Sequence, residues 1–553
     1  MKISLAQPPG WFHGGFLLFA AAFLYFNVFI LPATPIYDPL AVDQWFYLHN
    51  ATRMLGGQMI YRDFFQYSPP GTELTYLALF RLFAVRAWIP NAMLVLLGSS
   101  LTWLCFFISR KVLTGLAAYL PGLLFLSVAF CSRLDATHRW YSVLAVTAAT
   151  ALVIEERNQK RVAGAAALCA LGAFFTQARG LMAVTGLAIF LWWEHRKKGQ
   201  VGRSLLNAEA ILAGVFSAVT LGLNVYFILA VGLRRFLWSI VIFGMKYYPA
   251  ESGSNSLQTY MLSLPHPTNW RGFVGLPSWV LIHALLPLVY LLFFARCWGE
   301  SKKRQGEPWE RLVLVSLMGF FLFVGVAPAP AFARLCTVAL PALIIWVWFL
   351  SSPGKFPSLA RKVIWLCAVV VLVGPALHKQ TKWRAYLNAP IGRVAFVWPE
   401  AYEYYKWLLF HTHPTEFIYD CAGQVYFFLG LKCPAQVQYL SGTDYMRPEQ
   451  VRNVIESLDV HHVSMVLWCP YLDPGVDGIR ADDHLGPLRD YLQTHYHPVK
   501  AFEDAVQVLA GCGKSAFCSK IEVVHKPVLS SEEGPKVGPY HCEGEPEGSF
   551  RIS

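Results

Sequence analysis

Long apolar runs, separated by short charged loops, fill the first two thirds of the chain. They fall at 14–33, 91–109, 113–131, 140–154, 162–175, 180–193, 206–230, 278–295, 312–326, a stretch ending near 350, and 363–376. About 20 apolar residues make a helix long enough for the ~30 Å hydrocarbon core. The pattern therefore predicts a polytopic α-helical membrane protein with about 11 transmembrane helices. The runs 162–175 and 180–193, hinged on Thr176-Gln-Ala-Arg179, are short for that distance, which predicts tilted or partly re-entrant segments. The first run has no small-residue cleavage site after it, so it reads as a retained span.

The pattern breaks in two places and then changes. Residues 34–90 and 232–277 form long polar loops. In the first, Gln44 to Gly56 and Thr72 to Phe83 have helical patterning; Gly56-Gly57 and Ser68-Pro-Pro-Gly71 supply the stop and the new start. Trp45, Phe46, Leu48, Met54 and Leu55 give the first of these helices an apolar face suited to the membrane interface. From about 378 the composition becomes that of a soluble domain, with strands at 416–420 and 462–468 and amphipathic helices at 448–458 and 487–496. The expected organisation is a transmembrane catalytic domain at 1–377, an outer α/β domain at 378–527, and a flexible Gly/Pro/Glu/Ser-rich tail at 528–553.

Composition agrees. The 553 residues are 55% hydrophobic and 14% charged, with a mean hydropathy of +0.41, whereas soluble domains carry about 25% charged residues. The net charge of +12 would suggest nucleic acid in a soluble protein, but here Lys and Arg cluster in alternate short loops, so no nucleic-acid partner is expected. Arg110/Lys111, Arg157/Lys160/Arg161, the basic group from Arg196 to Arg203, Lys302/Lys303/Arg304 and Lys355/Arg361/Lys362 go to the cytoplasm under the positive-inside rule. Residues 34–90, 132–139, 232–277 and everything after 377 are then outside. The 12 cysteines show no zinc-type spacing, and the six after 420 can pair in an oxidising compartment, with a connectivity the spacing does not reveal.

The chemistry concentrates between Asp38 and Phe83. That stretch holds Asp38, Asp43, Asp63 and Glu73 together with Arg53, Arg62 and Arg81, among many aromatics. A simple connector between two helices has no need of them. Asp43 stands where it can cap the helix that follows, which is its plain structural reading. Asp38, in an Asp-Pro step, reads more simply as a turn.

The run Asp43-Gln-Trp-Phe-Tyr-Leu, then Gly56-Gly57, Tyr61-Arg-Asp63 and Ser68-Pro-Pro-Gly71 resembles the first outer loop of GT-C glycosyltransferases, a family that includes the protein O-mannosyltransferases and the lipid A aminoarabinose transferase. The resemblance implies a sugar donor linked through phosphate to a polyprenol, an acceptor hydroxyl on a glycan, glycolipid or protein, and Asp43 as catalytic base. It implies no metal and no cofactor, and a bacterial inner membrane with the site on the periplasmic side. Gln44 departs from the family, which usually carries Glu there. A leaving lipid phosphate calls for positive charge at outer helix ends. Arg139, Arg179 and Arg334 are the candidates, with Arg133, Arg234 and Arg235 behind them, since Arg meets phosphate with a two-pronged fork. Membrane headgroups are the competing partners for each. Asp38, a weaker rival for the base, Tyr61, Arg62, Asp63, Asp135 and His138 are supporting candidates. Two other functions fit the pattern less well: a transporter or flippase of a lipid-linked sugar, which calls for polar residues at mid-membrane depth, and a non-catalytic scaffold carrying an outer domain.

Overall fold

The computed structural model describes residues 10–39, 41–248, 276–300, 307–328, 330–351, 379–381, 383–443, 445–474, 483–502 and 506–511. The chain enters through α1 (Gly10–Val28). A minimal hairpin follows, β1 (Phe29–Ile30) with β2 (Thr34–Pro35). The first loop then forms α2 (Val42–Leu55) and α3 (Gly71–Phe83) before α4 (Trp88–Ser109). Next comes α5 (Gly115–Ser132), whose winding passes from 3-10 through α and π and back to 3-10, a local irregularity around Pro121 and Gly122. Helices α6 (His138–Val153), α7 (Gln159–Phe175), α8 (Gln177–Lys197), α9 (Arg203–Val231) and the short α10 (Leu233–Leu237) continue the bundle. It is completed by α11 (Leu276–Cys297), α12 (Glu307–Val324), α13 (Phe332–Thr337) and α14 (Ala339–Ser351).

Five of these helices, α1, α4, α5, α9 and α11, are long and apolar enough to cross a membrane, and the chain is a multi-pass membrane protein. The other expected spans in the described residues are helices too, but fall short of that length or apolarity. The expected span at 363–376, the tail from 528, and Cys512, Cys518 and Cys542 lie outside the described residues. Small residues explain how the bundle closes. On α7 the buried Ala165, Ala166, Cys169, Ala170 and Ala173 let α6 and α8 approach closely. Helix α9, about 43 Å long at 1.5 Å per residue, also packs along α7, yet fully buries only Leu212, Asn224 and Phe227 and leaves much of its apolar surface exposed.

The C-terminal residues form a mixed structure. The hairpin β3 (Ala385–Ala389) and β4 (Gly392–Phe396) precedes α15 (Pro399–His411). A four-stranded sheet follows with order β5-β6-β8-β7, built from β5 (Tyr419–Asp420), β6 (Met465–Trp468), β7 (Tyr496–Phe502) and β8 (Val506–Gly511). β5 runs parallel to β6, and the other pairs are antiparallel. Around it stand α16 (Val425–Leu429), α17 (Pro448–Val460) and α18 (Gly486–His495). At the α17 start Gln450 folds back and accepts the Arg447 amide at 2.9 Å. A disulfide joins Cys421 to Cys469, each the residue that follows one of the two parallel strands.

This C-terminal unit is stitched to the first loop. Tyr37 donates its amide to Ala395 at 2.9 Å, Phe65 to Gln436 at 2.9 Å, and Ala87 to Ile391 at 3.0 Å. The Arg53 guanidinium donates to the Ala435 carbonyl at 3.1 Å. The loop at 34–90 is therefore a middle layer between bundle and sheet.

Candidate active site beneath the C-terminal unit

The middle layer corrects two expectations about α2. Most of its apolar face is covered by protein, with Leu55 left exposed. Trp45 and Leu48 are buried, Trp45 stacks on Tyr37 and Phe427, Phe46 on Tyr439, and His49 on Tyr426, so α16 and its neighbours cover the helix. Nor is Asp43 the cap. The helix begins at Val42, two residues earlier than expected, behind Ala41, and no side chain caps it. The stop is at Gly56-Gly57 as read from the sequence: Gly57 turns left-handed at φ +92° and gives its amide to Met54 at 3.0 Å.

Asp43 thus occupies the first turn of α2 with its carboxylate free of a capping role. It is ion-paired with Arg139, at the start of α6. The Asp43 side chain keeps 30% of its surface open, while that of Arg139 keeps 10%. Burial raises the Asp43 carboxyl, but the positive charge of Arg139, then Arg133 and Arg334, outweighs this and holds it below the usual carboxylate range. Next door, Asp135 is fully buried, with Arg133 at 3.8 Å and Arg139 at 3.9 Å. Those distances give charge attraction without a direct hydrogen bond, and burial pushes Asp135 up to about 6. Two neighbouring carboxylates are thus driven apart in basicity by their surroundings.

The supports of this pair come from several elements. Gln44, the residue that departs from the family pattern, accepts the Ala136 amide at 2.7 Å and so ties the α2 start to the 132–137 loop. From the same loop, the Ala136 carbonyl accepts the Tyr76 hydroxyl at 2.6 Å. Arg179 is 3% exposed; its two terminal nitrogens donate to the Arg139 carbonyl at 2.6 Å, Ser142 Oγ at 3.2 Å and Thr337 Oγ1 at 2.6 Å. That makes it a brace between α6, α8 and α13. Arg334 is half-buried on α13 and donates to the Tyr248 hydroxyl, with its guanidinium 5.6 Å from the Tyr248 ring centroid.

The other expected residues lie in the same loop in distinct roles. Asp38 takes part in a turn, its carbonyl accepting the Ala41 amide at 3.2 Å. Asp63 forms a two-pronged pair with the exposed Arg62, 2.9 Å on each prong, and accepts the Met59 amide at 2.7 Å. Tyr61, at φ 69°, donates to the Ser68 carbonyl at 2.7 Å and packs against Phe236. His138 faces Tyr47, with ring centroids 5.2 Å apart. Arg235 donates to the Arg62 carbonyl at 3.0 Å. Asp43, Asp135, Arg133, His138, Arg139 and Arg334 are brought together, with Arg179 behind them; Asp63 and Arg62 are not shown among them.

One group was missed by the sequence reading. Glu73, in the first turn of α3, is buried; its Oε1 accepts from Gln66 at 2.7 Å and Asn50 at 3.3 Å, and burial pushes it up to about 7. The signal was a lone carboxylate at the head of an otherwise apolar helix. Among the described residues, no three His, Cys, Asp or Glu side chains converge as a metal site.

A bundle of apolar helices, two helices in its first loop, a carboxylate on the first of these, arginines at helix ends and a C-terminal mixed sheet make up a fold that this chain shares with solved membrane proteins. The ArnT of Cupriavidus metallidurans in the apo state superposes with a TM-score of 0.55, at 12% identity, over 91% of this chain and 98% of that one. Its complex with undecaprenyl phosphate gives 0.55 and 11% identity over the same shares. The Archaeoglobus fulgidus oligosaccharyltransferase in complex with zinc and sulfate gives 0.50 and 12% identity, over 90% of this chain and 73% of that one. No family model and no curated protein matches the chain.

Proposed function

We propose that this protein is a glycosyltransferase that moves a sugar from a polyprenyl-phosphate donor to a hydroxyl acceptor at the outer face of the membrane, with Asp43 as general base. The observation that carries the reading is the Asp43 carboxylate held, partly open, among Arg139, Arg133 and Arg334. The fold is shared with an ArnT structure bound to undecaprenyl phosphate, which supports a lipid-phosphate donor.

In this reading the acceptor oxygen attacks the anomeric carbon while its proton passes to Asp43. The bond from that carbon to the phosphate oxygen breaks, and its electron pair leaves on the lipid phosphate. Guanidiniums meet the charge that grows there, so the reaction asks for neither a protein acid nor a metal. Arg139 and Arg334 are the phosphate ligands, and Arg179 acts by fixing the α6 start. A carboxylate held ionised is a weak base at neutral pH, so Asp43 contributes chiefly by orienting the acceptor and receiving its proton late.

The wider organisation follows the same reading: a transmembrane catalytic unit over 1–377, an outer unit over 378–527, and a site on the periplasmic side of a bacterial inner membrane. The Cys421–Cys469 disulfide suits an oxidising compartment. Mass spectrometry of glycolipids and surface glycans from cells with and without the gene identifies the sugar and acceptor. Purified protein in lipid should then transfer that sugar from its polyprenyl-phosphate form. If the glycan profile is unchanged and no transfer occurs, the reading fails.

A further inference from the structure

Arg139 stands in two places at once in the proposed reaction. It is a ligand for the donor phosphate, yet in the resting protein it is ion-paired with the base, Asp43. Both jobs cannot be done fully by one guanidinium. Its backbone is fixed, because Arg179 holds the Arg139 carbonyl at 2.6 Å at the head of α6, so only the side chain is at liberty to choose. A second carboxylate, Asp135, lies 3.9 Å from its NH1 and keeps the guanidinium in the site whichever partner it takes. Four guanidiniums (Arg133, Arg139, Arg179, Arg334) interact electrostatically with one another or with Asp43 and Asp135.

We propose, on the strength of the glycosyltransferase reading, that Arg139 is a latch shared between Asp43 and the donor phosphate. Without donor it occupies the base. A lipid phosphate entering the cleft draws the guanidinium toward itself, and Asp43 is released to accept the hydroxyl. The base is thereby uncovered only when a donor is in place, so an acceptor arriving alone meets an occupied carboxylate. Ligand and carboxylate compete for one cation, so each weakens the other by the same factor, as binding reciprocity requires.

The consequence runs against the usual effect of removing an active-site residue. Asp43→Asn should bind undecaprenyl phosphate, offered without sugar to the full-length protein in lipid nanodiscs, more tightly than wild type, by about tenfold. Loss of one negative charge near a phosphate would by itself favour binding, so the deciding comparison is made in a second background. In Arg139→Gln the same Asp43→Asn change should give a clearly smaller gain, because the shared cation is gone and only the direct repulsion is relieved. Arg139→Lys, which keeps the charge and loses the fork, should retain part of the coupling and guards against a folding failure in the Gln variant. If Asp43→Asn binds no tighter, or if its gain persists undiminished in Arg139→Gln, the latch is wrong while the donor reading stands. If wild type does not bind the lipid phosphate at all, the donor reading fails and takes the latch with it.

Discussion

Asp43 separates two jobs that a carboxylate at the head of a helix can do. A cap survives Asp→Asn with a loss of a few tenths of a kcal/mol, since Asn caps as well as Asp; here no capping bond exists to lose. Asp43→Asn should therefore leave folding intact and lower transfer roughly 10²-fold or more. The same change at Asp38 and Asp63, which serve a turn and an Arg62 pair, should leave turnover within a few-fold. Near-normal transfer by Asp43→Asn in reconstituted protein would sink the assignment. Glu73 makes a second, independent prediction. Its carboxyl is raised from 4.5 to about 7 in the folded protein, so the folded state binds the proton more tightly than the unfolded chain does. Its effect on stability is least unfavourable below about pH 4.5, worsens as pH rises toward 7, and is constant above. At about 1.4 kcal/mol per unit, the swing is on the order of 3 kcal/mol. Glu73→Gln keeps an acceptor for Gln66 and Asn50 and removes the titration, so thermal melts at pH 8 should favour the variant, and its pH dependence between 5 and 7 should flatten. An unchanged slope would show that Glu73 does not titrate there.

Helix α2 matters as an element because it is packed from both sides. The C-terminal unit presses on it through the turn between β5 and α16. Gly423 there has φ +66°, and a Cβ on it would stand 2.6 Å from the Gln438 carbonyl oxygen and 2.6 Å from the Phe46 ring. Any side chain at this position meets both a left-handed backbone and an occupied space, so Gly423→Ala should destabilise by about 1–3 kcal/mol. More telling is where the loss appears. The displaced contact is on the helix that carries Asp43, so turnover should drop even in the fraction that remains folded. A variant that melts earlier but transfers normally below its melting point would show that the covering unit is not needed to place the base.

Across the whole molecule, two features bear on which side of the membrane the site faces. The basic loops at 110–111, 157–161 and 196–203 define one face, and the Asp43 cluster and the disulfide lie in segments the alternation puts on the other. Labelling of single cysteines placed near 197 and 303 should report the cytoplasm, and those near 60, 250 and 450 the outside. A cytoplasmic 450 would reverse the orientation and with it the site. The Cys421–Cys469 bridge closes a loop of 48 residues, for which chain entropy suggests about 4 kcal/mol of stabilisation. Replacing both cysteines by serine should lower the melting temperature of the purified protein by several degrees, and reductant should do the same to wild type but not to the variant.

The sequence alone was enough for the features that depend on local periodicity. The apolar helices, five of them of spanning length among the described residues, the helical segments in the first loop with their Gly57 and Pro70 boundaries, α17 and α18, and the β5 and β6 strands all follow from spacing and from turn or cap chemistry near in sequence. It also singled out Asp43, through the resemblance its loop carries, and the arginines at helix ends, because charge beside an apolar run stands out. What it did not reveal were relations between distant segments: that α2 is roofed by residues beyond 420, that Arg139 sits on Asp43, that Arg179 braces α6 against α13, and that Glu73 is buried with Gln66 and Asn50. An amphipathic pattern says which face avoids water and is silent on whether lipid or protein covers it. The partner of a buried charge is chosen by packing across long stretches of chain, 96 residues for Arg139 and Asp43 and 158 for Arg179 and Thr337, and only the tertiary structure decides that.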